Sequence, residues 1–213
     1  MDGLILGLDL CDGYTQLSCW GREENWTLPT AVCRQKDGGW LIGEMAYATA
    51  LAGEGSVTDK LIRLVLQDGS DTIYGVKYRA VDLLKCFLEQ VFSLPLEEGQ
   101  TVDGFMVKEL VITVPKMKAR LMDGLMYCAD QLKIPRSHVH VISHTEAFMY
   151  FVLSQTRDVW SNHVGMFDLS EKCLCYYEMK VQKNMGQVTA VAEREKLEEG
   201  FALDILSTPQ GVK

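Results

Sequence analysis

The side chains able to bind a metal, attack a substrate or hold an anion are few in this chain, and most stand without partners in the sequence. Four histidines, His138, His140, His144 and His163, occur among 213 residues. His138 and His140 alternate on one face of a predicted strand, yet no thiol or carboxylate is evidently paired with them as a metal set. Seven cysteines are scattered, and the one close pair, Cys173 and Cys175, shares a strand face and reads as small apolar filling. Lys116, Lys118 and Arg120 form a short basic cluster that reads as the solvated start of a helix. There is no Walker loop and no nucleophile elbow. No single local motif assigns a reaction.

Composition narrows the classes. A net charge of −8 argues against a nucleic-acid partner or an anionic membrane surface, since both require clustered Lys and Arg. No apolar run approaches the ~20 residues of a membrane helix. Residues 1–10 carry an acid at position 2 and pass straight into a strand pattern, unlike a signal peptide. An odd cysteine count without an export signal points to a reducing, cytoplasmic compartment.

The elements that would position chemistry follow from periodicity. Leu4–Leu10 is an apolar strand, Asp12-Gly13 a hairpin turn, and Tyr14–Trp20 an alternating second strand. A third strand is predicted at Thr30–Gln35, with Asp37-Gly38-Gly39 turning into Trp40–Ile42. Gly43–Leu51 reads as a short helix ended by Gly53 and Gly55, and Thr58 or Asp59 would cap another that runs to about Leu66. Asp68–Asp71 reads as a polar loop. Tyr78–Phe92 repeats Val81, Leu84, Leu88 and Val91 at helical spacing, widened by Leu83 and Phe87. Then come a strand at Glu109–Val114, a helix at Lys118–Lys133 with Leu121, Leu125, Cys128 and Leu132 on one side, a strand at Val139–Ile142 and a helix from Ser143 to Ser154. Strands at Val164–Leu169, Lys172–Val181 and Gln187–Glu195 precede a helix starting at Glu198. A meander followed by alternating strands and helices implies an α/β fold with a mixed sheet covered by helices.

Several of these segments, in this order, resemble the actin, sugar-kinase and heat-shock-seventy superfamily. Leu4-Ile5-Leu6-Gly7-Leu8-Asp9-Leu10 is similar to its first strand, and Ile42-Gly43-Glu44-Met45-Ala46 to the "IG-acid-x-A" stretch of cell-shape actins and chaperones. Leu110-Val111-Ile112-Thr113-Val114-Pro115 resembles the chaperones' "VITVP" strand. Val139–Ala147 resembles the strand that leads into an E-P-x-A-A helix, and Val164–Leu169 the strand before the second phosphate loop. The resemblance implies an actin-like ATPase first lobe of ribonuclease H-like fold: a mixed β-sheet with an antiparallel meander and flanking helices. It would span residues 1–197, with a helical insertion at about 43–100. Residues 198–213 would start a connecting helix or a truncated second lobe.

What the resemblance implies for chemistry is tested residue by residue. Asp9 and Asp168 match the two family aspartates that hold Mg²⁺ through water; the alternative reading of each is a polar strand-end residue. The first loop, Leu10-Cys11-Asp12-Gly13-Tyr14-Thr15, keeps only Gly13 small, and an ordinary Asp-Gly hairpin explains it equally well. In the second loop Ser170-Glu171-Lys172-Cys173 replaces a glycine-rich run. Glu171 would point a carboxylate at the phosphates, where two like charges 4 Å apart repel by about 1–4 kcal/mol. Ser170 and Lys172 are candidate phosphate contacts, with a solvated turn lysine as the plainer reading of Lys172. Tyr47 stands where the chaperones place a lysine. His144 takes the place of the family's water-positioning residue, or caps a helix. The implied cofactors are ATP and Mg²⁺, bound by Asp9, Asp12, Gly13, Tyr14, Asp168, Ser170 and Lys172. The expected role is a degenerate nucleotide-fold domain in protein interaction or assembly, not an efficient ATPase. Its expected partners are a second lobe, other proteins or further copies of itself. The alternative is an ATP/Mg-binding switch or weak ATPase that needs a second lobe.

Overall fold

A computed structural model describes residues 3–97, 99–156, 164–169, 173–184 and 187–199. It divides into two compact units, Met1–Ile142 and Ser143–Lys213.

In the first unit β1 (Leu4–Leu10), β2 (Tyr14–Cys19) and β3 (Asn25–Pro29) form the antiparallel meander. β9 (Val107–Val114) then pairs with β1 in parallel, and β10 (Val139–Ser143) completes a five-stranded mixed sheet in the order β10-β9-β1-β2-β3. The third strand of the meander is Asn25–Pro29, not the predicted Thr30–Gln35. Polar Glu23-Glu24-Asn25 and a terminal proline hide it locally, whereas an edge strand accepts a proline at its end. The predicted third strand exists as β4 (Ala31–Gln35), but it belongs to a separate three-stranded sheet with β5 (Trp40–Ile42) and β6 (Gly55–Asp59).

Residues 43–100 hold strands as well as helices. α1 (Gly43–Leu51) and α2 (Leu61–Leu66) alternate with β6, and β7 (Ser70–Ile73) and β8 (Val76–Arg79) form a hairpin before α3 (Ala80–Ser93). That hairpin turns on Tyr74 and Gly75, at φ of 50° and 77°, the left-handed pair that a tight two-residue turn needs. α4 (Ala119–Gln131) follows β9. Leu121, Leu125, Cys128 and Leu132 of the predicted stripe are buried, as are Leu83, Leu84, Phe87, Leu88 and Val91 of α3.

Strand alternation decides which face is which. Leu6, Leu8, Leu10, Leu17, Leu110, Ile112 and Val114 join the α3 and α4 side chains in one core. Ile5, Gly7 and Asp9 of β1 and Glu109, Val111 and Thr113 of β9 take the opposite, less buried face. Burial pushes the Cys128 thiol up to about 12, so it packs as a neutral group.

In the second unit α5 (His144–Ser154) packs Phe148 and Val152 against Cys175, Tyr177 and Met179. β11 (Val164–Leu169), β12 (Cys173–Asn184) and β13 (Gln187–Glu199) form an antiparallel sheet. β13 occupies Glu198, where a helix is predicted. Pairing with β12, which resumes beyond a register shift with Leu174 opposite Glu198 and Cys173 opposite Glu199, overrides the local helix preference of a Glu-rich stretch.

Two outcomes test this description. Gly43 opens α1 at φ +63°, and a Cβ there would sit 3.1 Å from Leu28 Cβ. Gly43→Ala is expected to cost about 1–2 kcal/mol in urea unfolding, the penalty for a left-handed L-residue. Asp82 accepts two bonds from Arg79, at 2.8 Å each, and one from Tyr127 at 2.9 Å. The Arg79 guanidinium holds the Asp82 carboxyl below the usual carboxylate range. Its contribution to stability is therefore present above the unfolded-state pKa and lost as pH falls through the lower folded-state value. Asp82→Asn should lower the urea midpoint modestly at neutral pH, because the pair is partly exposed. The difference from wild type should close in strong acid.

Candidate functional site

Asp9 lies one residue from the end of β1, opposite Gln16 of β2 and Thr113 of β9. Thr113 donates its hydroxyl to Asp9 Oδ1 at 2.8 Å, across 104 residues of sequence. The Cys11 thiol lies 4.0 Å from the same oxygen. A hydrogen bond to an ionised carboxylate contributes about 1.5–3 kcal/mol, less where water competes. Thr113 was read in the sequence only as part of a strand, and its period-two place beside Asp9 becomes a signal only once the register is known.

The loop after β1 is held from beneath. Thr30 gives its hydroxyl to the Cys11 carbonyl at 2.6 Å, shares a 2.7 Å bond with the Thr15 hydroxyl, and donates its backbone N–H to the Gly13 carbonyl at 2.9 Å. Thr15 and Thr30 are both fully buried. In a planar trans peptide the C=O and N–H point opposite ways. The peptides that turn the Cys11 and Gly13 oxygens toward Thr30 therefore turn the Asp12 and Tyr14 N–H groups away from it. Outward amides of this kind are donors that an anion could accept from.

Asp12 has a different task from the one its sequence position suggests. Its Oδ1 accepts the Arg63 backbone N–H at 3.1 Å, and Oδ2 lies 3.7 Å from Arg63 Nε. Arg63 is in the first turn of α2, whose capping residue Lys60 sits at φ 54° and offers no side-chain cap. Asp12 thus satisfies one of the orphan amides of that helix from outside, where the helix dipole also favours an anion.

The remaining candidates separate by unit. Tyr14 opens β2 and is largely exposed. Tyr47, on α1, donates to Asp59 Oδ2 at 3.3 Å. His144 is the first residue of α5, and the Ser143 hydroxyl caps that helix by accepting the Glu146 N–H at 3.2 Å. Asp168 lies on β11, its backbone opposite Cys175. Ser170, Glu171, Lys172 and His163 fall outside the described residues. Of the other histidines, His138 is in a 3₁₀ turn and meets the Val107 carbonyl at 3.0 Å. His140, on β10, does have a carboxylate partner, Glu109 Oε2 at 2.9 Å on the neighbouring strand. The first loop therefore brings together Asp9, Cys11, Asp12, Gly13 and Tyr14 with Thr30, Thr113 and Arg63, three residues absent from the sequence-level candidates.

Thr30→Val keeps the shape and removes the hydroxyl, leaving the Cys11 carbonyl and the Thr15 hydroxyl short of a partner. It is expected to cost about 1–3 kcal/mol and to speed hydrogen exchange at Asp12, Gly13 and Tyr14, read by mass spectrometry, while exchange in β9 changes little.

No curated protein sequence matches the chain. Among solved structures, the crystal structure of MreB5 of Spiroplasma citri bound to ADP is similar at a TM-score of 0.56 and 14% identity. The match covers 92% of this chain and 53% of that one, so this chain spans about half of its length. That likeness makes the fold actin-like, a mixed sheet with flanking helices. The profile of the family of unknown function DUF5716, C-terminal part, matches residues 13–211. The chain belongs to the family of unknown function DUF5716, in its C-terminal part.

Proposed function

We propose that this chain is a nucleotide-fold domain of ribonuclease H-like, actin-like architecture that serves protein interaction or assembly, with little or no ATP hydrolysis. The observation that carries this reading is Asp9, held by Thr113 at the strand end beside a loop whose amides of Asp12 and Tyr14 face outward. The strand order, a meander joined to a parallel strand through β1, supports the architecture.

The residues present fit a phosphate and a hydrated cation on this side. A carboxylate offers about four acceptor positions, so the Thr113 bond does not exhaust Asp9. Asp9 would hold Mg²⁺ through water, and the outward amides would hold phosphate. When bound, the cation neutralises phosphate charge. Efficient turnover would also need a second loop able to wrap the phosphates closely. There Ser170, Glu171 and Lys172 resist the left-handed backbone that glycines allow, and Glu171 adds a like charge. A second lobe would complete the site, since this chain spans only about half the length of the similar MreB5 chain.

The alternative, an ATP/Mg-binding switch, is favoured by Asp12. Its bond to Arg63 gives the carboxylate a partner on α2 and lessens its repulsion of a nearby anion.

Titration calorimetry with MgATP and a phosphate-release assay separate the readings. Phosphate release at the rate of the buffer blank is expected. Turnover that disappears in Asp168→Asn would overturn the loss of hydrolysis. Micromolar MgATP binding abolished by Asp9→Ala would move the assignment to the switch.

A further inference from the structure

We propose that Lys116 and Lys118, in the segment that leaves β9, supply the positive charge that holds a polyphosphate ligand at the first loop; this rests on the alternative, ATP/Mg-binding reading of that loop. Neither lysine has a binding role in the local sequence, where the cluster reads as a solvated helix start. The parallel register changes its meaning. Because Asp9 is opposite Thr113, β1 and β9 release their chains at the same end of the sheet, the carboxyl end of the strands, where ligands settle in α/β sheets. The loop Cys11–Gly13 and the segment from Pro115 to Lys118 therefore leave side by side. Lys116 is three residues past Thr113, no more than about 11 Å along an extended chain. Pro115 fixes its φ and limits how far the segment can turn away.

The charges at this end of the sheet are unevenly matched. Arg63 is engaged by Asp12 at 3.7 Å, and Arg120 lies 3.9 Å from Asp68. Lys116 and Lys118 are exposed and make no ion pair among the described residues, in a chain of net charge −8. The first loop itself brings peptide N–H groups and the carboxylates of Asp9 and Asp12, and no cation. A polyphosphate there needs cations from neighbouring segments, and these two lysines are next in register. A flexible ammonium suits this task, acting as a point charge with three donors.

The test uses the whole chain and two probes, MgATP and inorganic tripolyphosphate, titrated at low and moderate salt. The variants are Lys116→Gln/Lys118→Gln together, Lys77→Gln as a control on β8, and Asp9→Ala. The double variant is expected to bind both probes about tenfold more weakly and with a flatter salt dependence, with the thermal midpoint of the free protein unchanged. Lys77→Gln should bind as wild type. Wild-type affinity and salt slope in the double variant would overturn the lysine assignment and leave the nucleotide reading standing. Tripolyphosphate binding that needs the lysines, without MgATP binding, would uphold the lysines and overturn the nucleotide reading. Binding of neither probe by wild type would overturn both.

Discussion

β1 is bonded on both edges, antiparallel to β2 and parallel to β9, and the rest of the first unit depends on that double pairing. One edge is satisfied locally, by a hairpin a few residues away. The other waits for a strand about a hundred residues later. The parallel partner cannot be reached by a tight turn, so the chain must leave the sheet and return, and everything between β2 and β9 is accommodated in that excursion. The alternating leucines of β1 and the alternating Leu110, Ile112 and Val114 of β9 offset the cost of this closure by burying one face against α3 and α4. The same alternation leaves Asp9 and Thr113 on the other face, so packing and chemistry use opposite faces of the same strands.

The first loop shows how a short turn is given a fixed shape without glycines at every position. Thr30 acts as a floor, with its hydroxyl and its amide each holding one carbonyl of the loop. Asp12 acts as a tether, since its carboxylate completes the first turn of α2. A residue that looks like an electrostatic fault in the sequence is a structural bond in the fold. The cost of a carboxylate near an anion site is thereby reduced, because part of its charge is taken up by a helix terminus and a guanidinium.

Long amphipathic elements were legible from the start. The α3 and α4 stripes and the apolar strands β1 and β9 carry enough period for their burial to be read directly, and Asp9 could be placed at a strand end. Short elements were not. β3, β6 and the β7–β8 hairpin are four or five residues each, contain Gly, Ser, Asp or Pro, and owe their conformation to partner strands. The end of β13 failed for a related reason: a run rich in Glu and Lys favours helix on its own, and twelve-odd residues of ladder with β12 outweigh it.

The amino-acid sequence by itself determined which faces are apolar, where the long helices run, that Asp9 lies near the end of the first strand, and that the second loop lacks glycines. Those properties are local, set by side-chain period and backbone freedom over a few residues. Only the tertiary structure decided that Thr113 meets Asp9, that Asp12 belongs to α2, that Thr30 supports the loop, and that Lys116 and Lys118 leave the sheet beside it. Each of these is a register between segments distant in sequence. A register is chosen by the whole set of buried pairs at once, so no single segment carries it.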